Sequence, residues 1–119
     1  MIKHNEIRIG SLISIGGIVT QVEGFCIWDF LVQSSKFAER HISEFEPIPL
    51  TEEWLVKFGF ENKKGFLTLG LLSCVWGEEE ACFYFYYAED KNNEIKVRYI
   101  HYLQNLYFAL TGEELILNQ

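Results

Sequence analysis

The chain has 119 residues, 49% hydrophobic and 16% aromatic, and its 17 acids outweigh 10 Lys and Arg for a net charge of −7. Such apolar content excludes a disordered chain, and at this length about two thirds of the unfolded surface can be buried, so folding requires neither a disulfide nor a metal. The acidity disfavours direct binding to nucleic acid or anionic membranes. No run approaches the roughly eighteen apolar residues of a spanning helix, and residues 1–10 lack the continuous apolar stretch of a signal peptide.

In chain order, Leu12–Ile15 is followed by Gly16-Gly17, a strong hairpin signal because both turn positions accept positive φ, and Ile18–Val22 reads as the return strand. Gly24 is expected to break that strand, and Phe25–Val32 to form a third. Three short antiparallel strands in succession make a meander compatible with a small SH3-like barrel. Ser34–Glu46 is ambiguous, with Phe37, His41 and Phe45 at a four-residue interval between weak caps. Pro47 and Pro49 hold the next segment extended. Thr51 then caps a short helix, Glu52 and Glu53 suit the positive end of its dipole, and Gly59 ends it, with Trp54, Leu55 and Phe58 directed inward.

The second half offers three more strands. Gly65–Trp76 is apolar, Gly77–Glu80 is a turn, and Ala81–Tyr87 returns. After a polar turn over Ala88–Asn93, Glu94–Tyr99 alternates Ile95, Val97 and Tyr99 with charged residues, as a half-buried strand does. Residues 99–112 then carry no charge, and Ile100, Leu103, Leu106, Tyr107 and Leu110 recur at helical spacing up to Gly112. A helix so apolar is expected to be covered by the rest of the domain. The order predicts one α+β domain over residues 1–119: an antiparallel β-meander, a short helix, a second β-meander and a long C-terminal core helix.

No motif specifies a reaction. Cys26, Cys74 and Cys82 lack metal-knuckle spacing and read as reduced, half-buried thiols, with 74 and 82 suited to facing strands. Gly16-Gly17 precedes no helix and lacks the patterns of a phosphate-binding loop. The paired acids Glu52-Glu53 and Glu79-Glu80 point in different directions and read as solvated charge. On the last helix, His101, Gln104, Asn105 and Phe108 share one side, opposite the apolar stripe. They could hold a ligand, with His101 as acid or base, but no orienting partner is evident, and a narrow hydrogen-bonded face against a strand or water is the better account. In the run Cys82–Tyr87, Phe83, Phe85 and Tyr87 alternate with Cys82, Tyr84 and Tyr86, so both faces of one strand are aromatic. Exposed rings of this kind can stack bases, but the neighbours Glu80, Glu89 and Asp90 are acidic, which favours core packing and then a protein-binding face.

Three blocks, NEIRIG from Asn5, PIPLTEEWL from Pro47 and HYLQNLYFALTGEEL from His101, resemble a group of small, generally uncharacterised proteins of Bacteroidota phages, prophages and mobile elements. The blocks run in order along nearly the whole chain, consist mostly of caps, core and turns, and carry no catalytic residue with them. The resemblance implies a host-directed role, because small acidic phage proteins without catalytic motifs often bind a host protein. Some of them inhibit defence nucleases in the anti-CRISPR manner.

The expected function is therefore a non-enzymatic, cytoplasmic protein-binding module without cofactor or metal. Its partner would be a host protein with a basic surface, such as a CRISPR or other defence effector, contacted through Trp76, Glu78, Glu79, Glu80, Tyr84, Tyr86, Glu89 and Asp90. Two alternatives stand beside it. One is a nucleic-acid-binding accessory domain using Lys57, Lys63, Lys64, Lys91, Lys96 and Arg98; the other is a structural or assembly protein of a phage particle.

Overall fold

Gly16 and Gly17, at φ 55° and 83°, make the tight turn between β1 (Leu12–Ile15) and β2 (Ile18–Cys26), and Ile15 pairs with Ile18 across it. Positive φ at both positions gives the twist that lets the two strands continue side by side. The structure, a computed structural model, describes residues 2–26, 30–88 and 90–117, without the side chains of residues 4, 26 and 90–92. It divides into two compact units, Met1–Ile48 with Tyr99–Leu106, and Pro49–Arg98 with Tyr107–Gln119. The fold is α+β, with two antiparallel sheets and a C-terminal helix.

In the first unit the sheet order is β1-β2-β3-β4, a meander curled into a half-barrel. Gly24 does not end β2. The register with β3 (Leu31–Ser34) shifts between Val22 and Gly24, so a bulge takes up the glycine and the strand runs on to Cys26. The third strand expected over Phe25–Val32 is corrected accordingly: Phe25 and Cys26 close β2, Leu31 opens β3, and residues 27–29 lie outside the described residues. The ambiguous stretch resolves into β4 (Arg40–His41) and a 3-10 turn at Ile42–Glu44. His41 Nδ1 accepts from Ser43 N and Glu44 accepts from His41 N, a reciprocal cap. Ile7, Ile13, Val22, Val32, Ile42 and Phe45 form the core.

In the second unit, α1 (Glu52–Lys57) begins where Thr51 Oγ1 accepts the Trp54 N–H at 3.3 Å. Leu55 and Phe58 are buried, whereas Trp54 is only half-buried and carries the Lys57 ammonium 5.1 Å from its ring centre. The sheet order is β5-β6-β7-β8-β9. The apolar stretch expected as one strand over Gly65–Trp76 is two, β6 (Phe66–Leu69) and β7 (Leu72–Gly77), joined by a turn at Gly70-Leu71 that pairs Leu69 with Leu72. A short strand absent from the sequence reading, β5 (Glu61–Lys63), pairs with β6 at the sheet edge. After β8 (Cys82–Tyr87), β9 runs from Asp90 to Val97, so most of the expected polar turn is strand. The expectation failed because charged and amide residues suit an edge strand as well as a loop.

The last helix, α2 (Ile100–Thr111), ends at Gly112, whose N–H bonds to the Phe108 carbonyl at 2.8 Å. It is not covered all round: Ile100 and Leu103 are buried, Leu106, Tyr107 and Leu110 are half-buried, and Tyr102 and Phe108 are exposed. Its buried side also includes His101 and Gln104. Within the first unit, the Gln104 side chain accepts from Leu12 N at 2.7 Å and donates to the Gly10 carbonyl at 3.0 Å. Asn105 donates to the Glu6 carbonyl at 2.8 Å and accepts from Arg8 Nε at 2.8 Å, and Arg8 Nη2 reaches the Gln104 carbonyl at 2.8 Å. Gln104 and Asn105 are thus spent on residues 6–12, on the backbone of Glu6, Gly10 and Leu12 and on the Arg8 side chain. Among the described residues, no helix is long and apolar enough to cross a membrane.

Removing the Gln104 amide strands the buried Leu12 N–H. Gln104→Ala is expected to lower stability by about 1–3 kcal/mol in urea unfolding, whereas Ile116→Ser, at a position 71% exposed, should change it by no more than about 0.5 kcal/mol.

Candidate partner-binding surface

The β7–β8 register sorts the residues singled out in the sequence onto two faces. Val75 pairs with Tyr84, Ser73 with Tyr86 and Gly77 with Cys82, whereas Trp76 pairs with Phe83 and Cys74 with Phe85. Side chains alternate along a strand, so Tyr84 and Tyr86 share one face and Trp76 lies on the other. The turn over residues 78–81 joins the two strands.

On the tyrosine face the polar groups pair with one another at the surface. The Tyr84 ring lies across Gly77 so closely that a Cβ there would collide with it, which leaves the position to glycine. Glu80 Oε2 is 2.8 Å from Lys96 Nζ and 4.0 Å from Arg98 Nη2. The hydrogen bond from Lys96, reinforced by the charges of Lys96 and Arg98, holds the Glu80 carboxyl below its ordinary value, and the same pairing raises Lys96. Tyr86 donates to Glu94 at 3.1 Å. Burial, with Glu80 nearby, raises the Tyr84 hydroxyl; burial and the bond to Glu94 raise that of Tyr86. Charges here compensate one another, and Glu80 belongs to this face rather than standing free with its neighbours.

The opposite face opens into a groove of about 530 Å³. Leu67, Cys74 and Phe83 line it from the sheet, Thr51 and Glu52 from the start of α1, and Trp76 from β7. The Trp76 ring meets Phe83 edge-on at 4.9 Å and remains 47% exposed. Burial pushes the Cys74 thiol up to about 12, which leaves it protonated and inert at neutral pH. Cys74 and Cys82 are free and buried on facing strands, pointing to opposite faces. Glu78 and Glu79 follow in the exposed turn. Among the described residues, Glu52, Glu53, Glu78 and Glu79 make no ion pair. Glu89 lies outside the described residues; Asp90 opens β9 opposite Tyr87, and its side chain is likewise outside them.

The sequence reading found Trp76 and the acidic turn but missed the rest of the groove. Leu67 and Cys74 signal only buried strand positions, and nothing local in the sequence brings Thr51 and Glu52 beside them. For the cation set of the nucleic-acid alternative, Lys96 and Arg98 are committed to Glu80 and Lys57 to the Trp54 ring, while the Lys91 side chain is outside the described residues.

His101, the one candidate acid or base, is fully buried in the first unit. Its Nε2 stands 3.5 Å from Glu6 Oε2, its Nδ1 has no hydrogen-bond partner among the described residues, and the Tyr99 and Tyr102 rings lie 6.1 and 4.4 Å from it. Burial lowers its pKa, opposed in part by Glu6. A ring closed to solvent cannot exchange protons with a substrate, so the stripe of His101, Gln104 and Asn105 acts inside the fold. Among the described residues, no three His, Cys, Asp or Glu side chains are grouped to hold a metal. No protein-family model, curated protein or solved structure matches the chain.

Because the folded state disfavours the imidazolium, unfolding takes up a proton once pH falls through the ordinary imidazole value of about 6.5. His101 therefore leaves stability unchanged above that value and reduces it as pH falls below it. Urea midpoints measured across this window should decline for the native chain and decline less for His101→Phe.

Proposed function

We propose that this chain is a non-enzymatic, cytoplasmic protein-binding module of phage or prophage origin. Its most concrete form is an inhibitor of a host defence nuclease, such as a CRISPR effector, that engages a basic surface on the effector. The observation that carries the reading is the combination at one end of the second sheet: a half-exposed Trp76 on an apolar groove, next in the chain to Glu78 and Glu79, whose charge no described residue compensates. Exposed tryptophans dominate the energetics of protein interfaces, and uncompensated acids draw a protein toward basic channels and speed its encounter with them. The net charge of −7 and the resemblance to proteins of mobile elements point the same way. Tyr84, Tyr86 and Glu80 support the site from behind rather than meeting the partner. The nucleic-acid alternative loses ground because two of its cations neutralise Glu80.

The test is affinity capture of the tagged chain from a Bacteroidota host lysate, with and without nuclease treatment, read by mass spectrometry. One stoichiometric, nuclease-resistant host protein is expected, and its recovery should fall in a Glu78→Lys/Glu79→Lys variant. Partners that vanish on nuclease treatment would overturn the reading in favour of nucleic-acid binding, and recovery of the chain alone would favour assembly.

A further inference from the structure

We propose that the first unit binds a small organic carboxylate with an aromatic or branched apolar body. The body would lie against Ile2, Phe30 and Ile42, and the carboxylate would meet Lys3, Asn5 and His41. The proposal goes beyond the protein-binding reading and does not depend on it.

Three observations carry it. First, a pocket of about 380 Å³ opens within this unit, between residues 2–5 and the stretch from His41 to Ser43, with Phe30 beside them. Small-molecule sites have this size and combine an apolar lining with a few polar groups that fix orientation. Here the apolar part comes from the buried Ile2 and Ile42 and from the Phe30 ring, which is 42% exposed.

Second, the fold holds Phe30 at the pocket in an unfavourable backbone conformation. Its φ is 54°, in the left-handed region that bulky side chains seldom enter. The Phe30 carbonyl accepts from Ile42 N at 2.7 Å, and the ring centre lies 6.1 Å from that of His41. Backbone strain of this kind concentrates at ligand sites, where it serves to place a side chain. Here it sets an aromatic ring on the pocket wall instead of in the core.

Third, the polar groups of the pocket are donors that no acid neutralises. His41 Nδ1 accepts from Ser43 N at 3.1 Å, so the ring proton sits on Nε2 and that N–H is left to donate. Among the described residues, Lys3 makes no ion pair and the Asn5 amide makes no hydrogen bond. The chain has a net charge of −7, yet no acid lines this pocket among the described residues. An ammonium with two N–H donors suits a carboxylate, and a cationic ligand would meet like charge at Lys3. The apolar lining calls for a body that a bare inorganic anion lacks.

The experiment is an NMR titration of the full-length ¹⁵N-labelled chain with 3-phenylpropanoate, with its uncharged amide 3-phenylpropanamide, and with acetate. The phenyl carboxylate should shift the Asn5, Ile42 and Ser43 amides saturably. The amide should bind about fivefold more weakly, as the loss of a half-exposed ion pair predicts, and acetate should produce no saturable shift. Lys3→Gln should remove the preference for the acid over its amide. Phe30→Gly keeps the left-handed backbone while deleting the ring, and should weaken both phenyl compounds alike. Each variant should retain the native spectrum away from the pocket. Equal affinity for acid and amide, shifts confined to other surfaces, no saturable shift with the phenyl carboxylate, or an affinity indifferent to both substitutions would overturn the proposal. The titration contains the purified chain alone, so its outcome is separate from that of host-protein capture.

Discussion

The first unit depends on a side chain acting as a piece of sheet. The Gln104 amide presents an acceptor to Leu12 N and a donor to the Gly10 carbonyl, much as a neighbouring strand would. Leu12 opens β1 and needs a partner for its N–H in a buried setting, where an unpaired donor is costly. Asn105 and Arg8 extend the arrangement back to Glu6. A helix that carries no charge from residue 99 to residue 112 can supply these contacts, because burying neutral amides with their bonds satisfied avoids the penalty of burying ions. The first unit is therefore closed by hydrogen bonds from a helix face as well as by the packing of Ile13, Val22, Val32 and Phe45.

In the second unit the two faces of one sheet do different work. On the tyrosine face, Glu80, Lys96, Arg98 and Glu94 satisfy one another and the phenols. On the groove face, aromatic and aliphatic side chains remain accessible and Glu52 has no counter-charge among the described residues. The net charge of the chain is therefore unevenly spent: some acids hold the fold, and others are left to the solvent or to a partner. That contrast sets the accessible, uncompensated face with Trp76 apart from the internally paired tyrosine face.

How much of this was legible depended on whether the signal was local. Gly16-Gly17 and Thr51 announce their turn and cap because a backbone geometry or a single hydrogen bond demands those residue types. The run from Gly65 to Trp76 conceals two strands, since Leu69 and Leu72 flank a turn as apolar as the strands themselves. The separation of Trp76 from Tyr84 was equally hidden. Which residues share a face follows from the pairing of Gly77 with Cys82, and a shift by one residue would exchange the faces. His101, Gln104 and Asn105 were visible as a polar stripe. Their direction was not, because an amide bonded to backbone and an amide bonded to water leave the same mark in a sequence.

Amide hydrogen exchange tests most directly the claim that the polar face of α2 closes the first unit. The Leu12 N–H, whose acceptor is the Gln104 side chain, should be protected to the same degree as the backbone of Leu103 in the helix, and far more than the exposed turn at Gly16-Gly17. Rapid exchange at Leu12 alongside slow exchange at Leu103 would contradict it, and would leave the stripe of amides without a structural role.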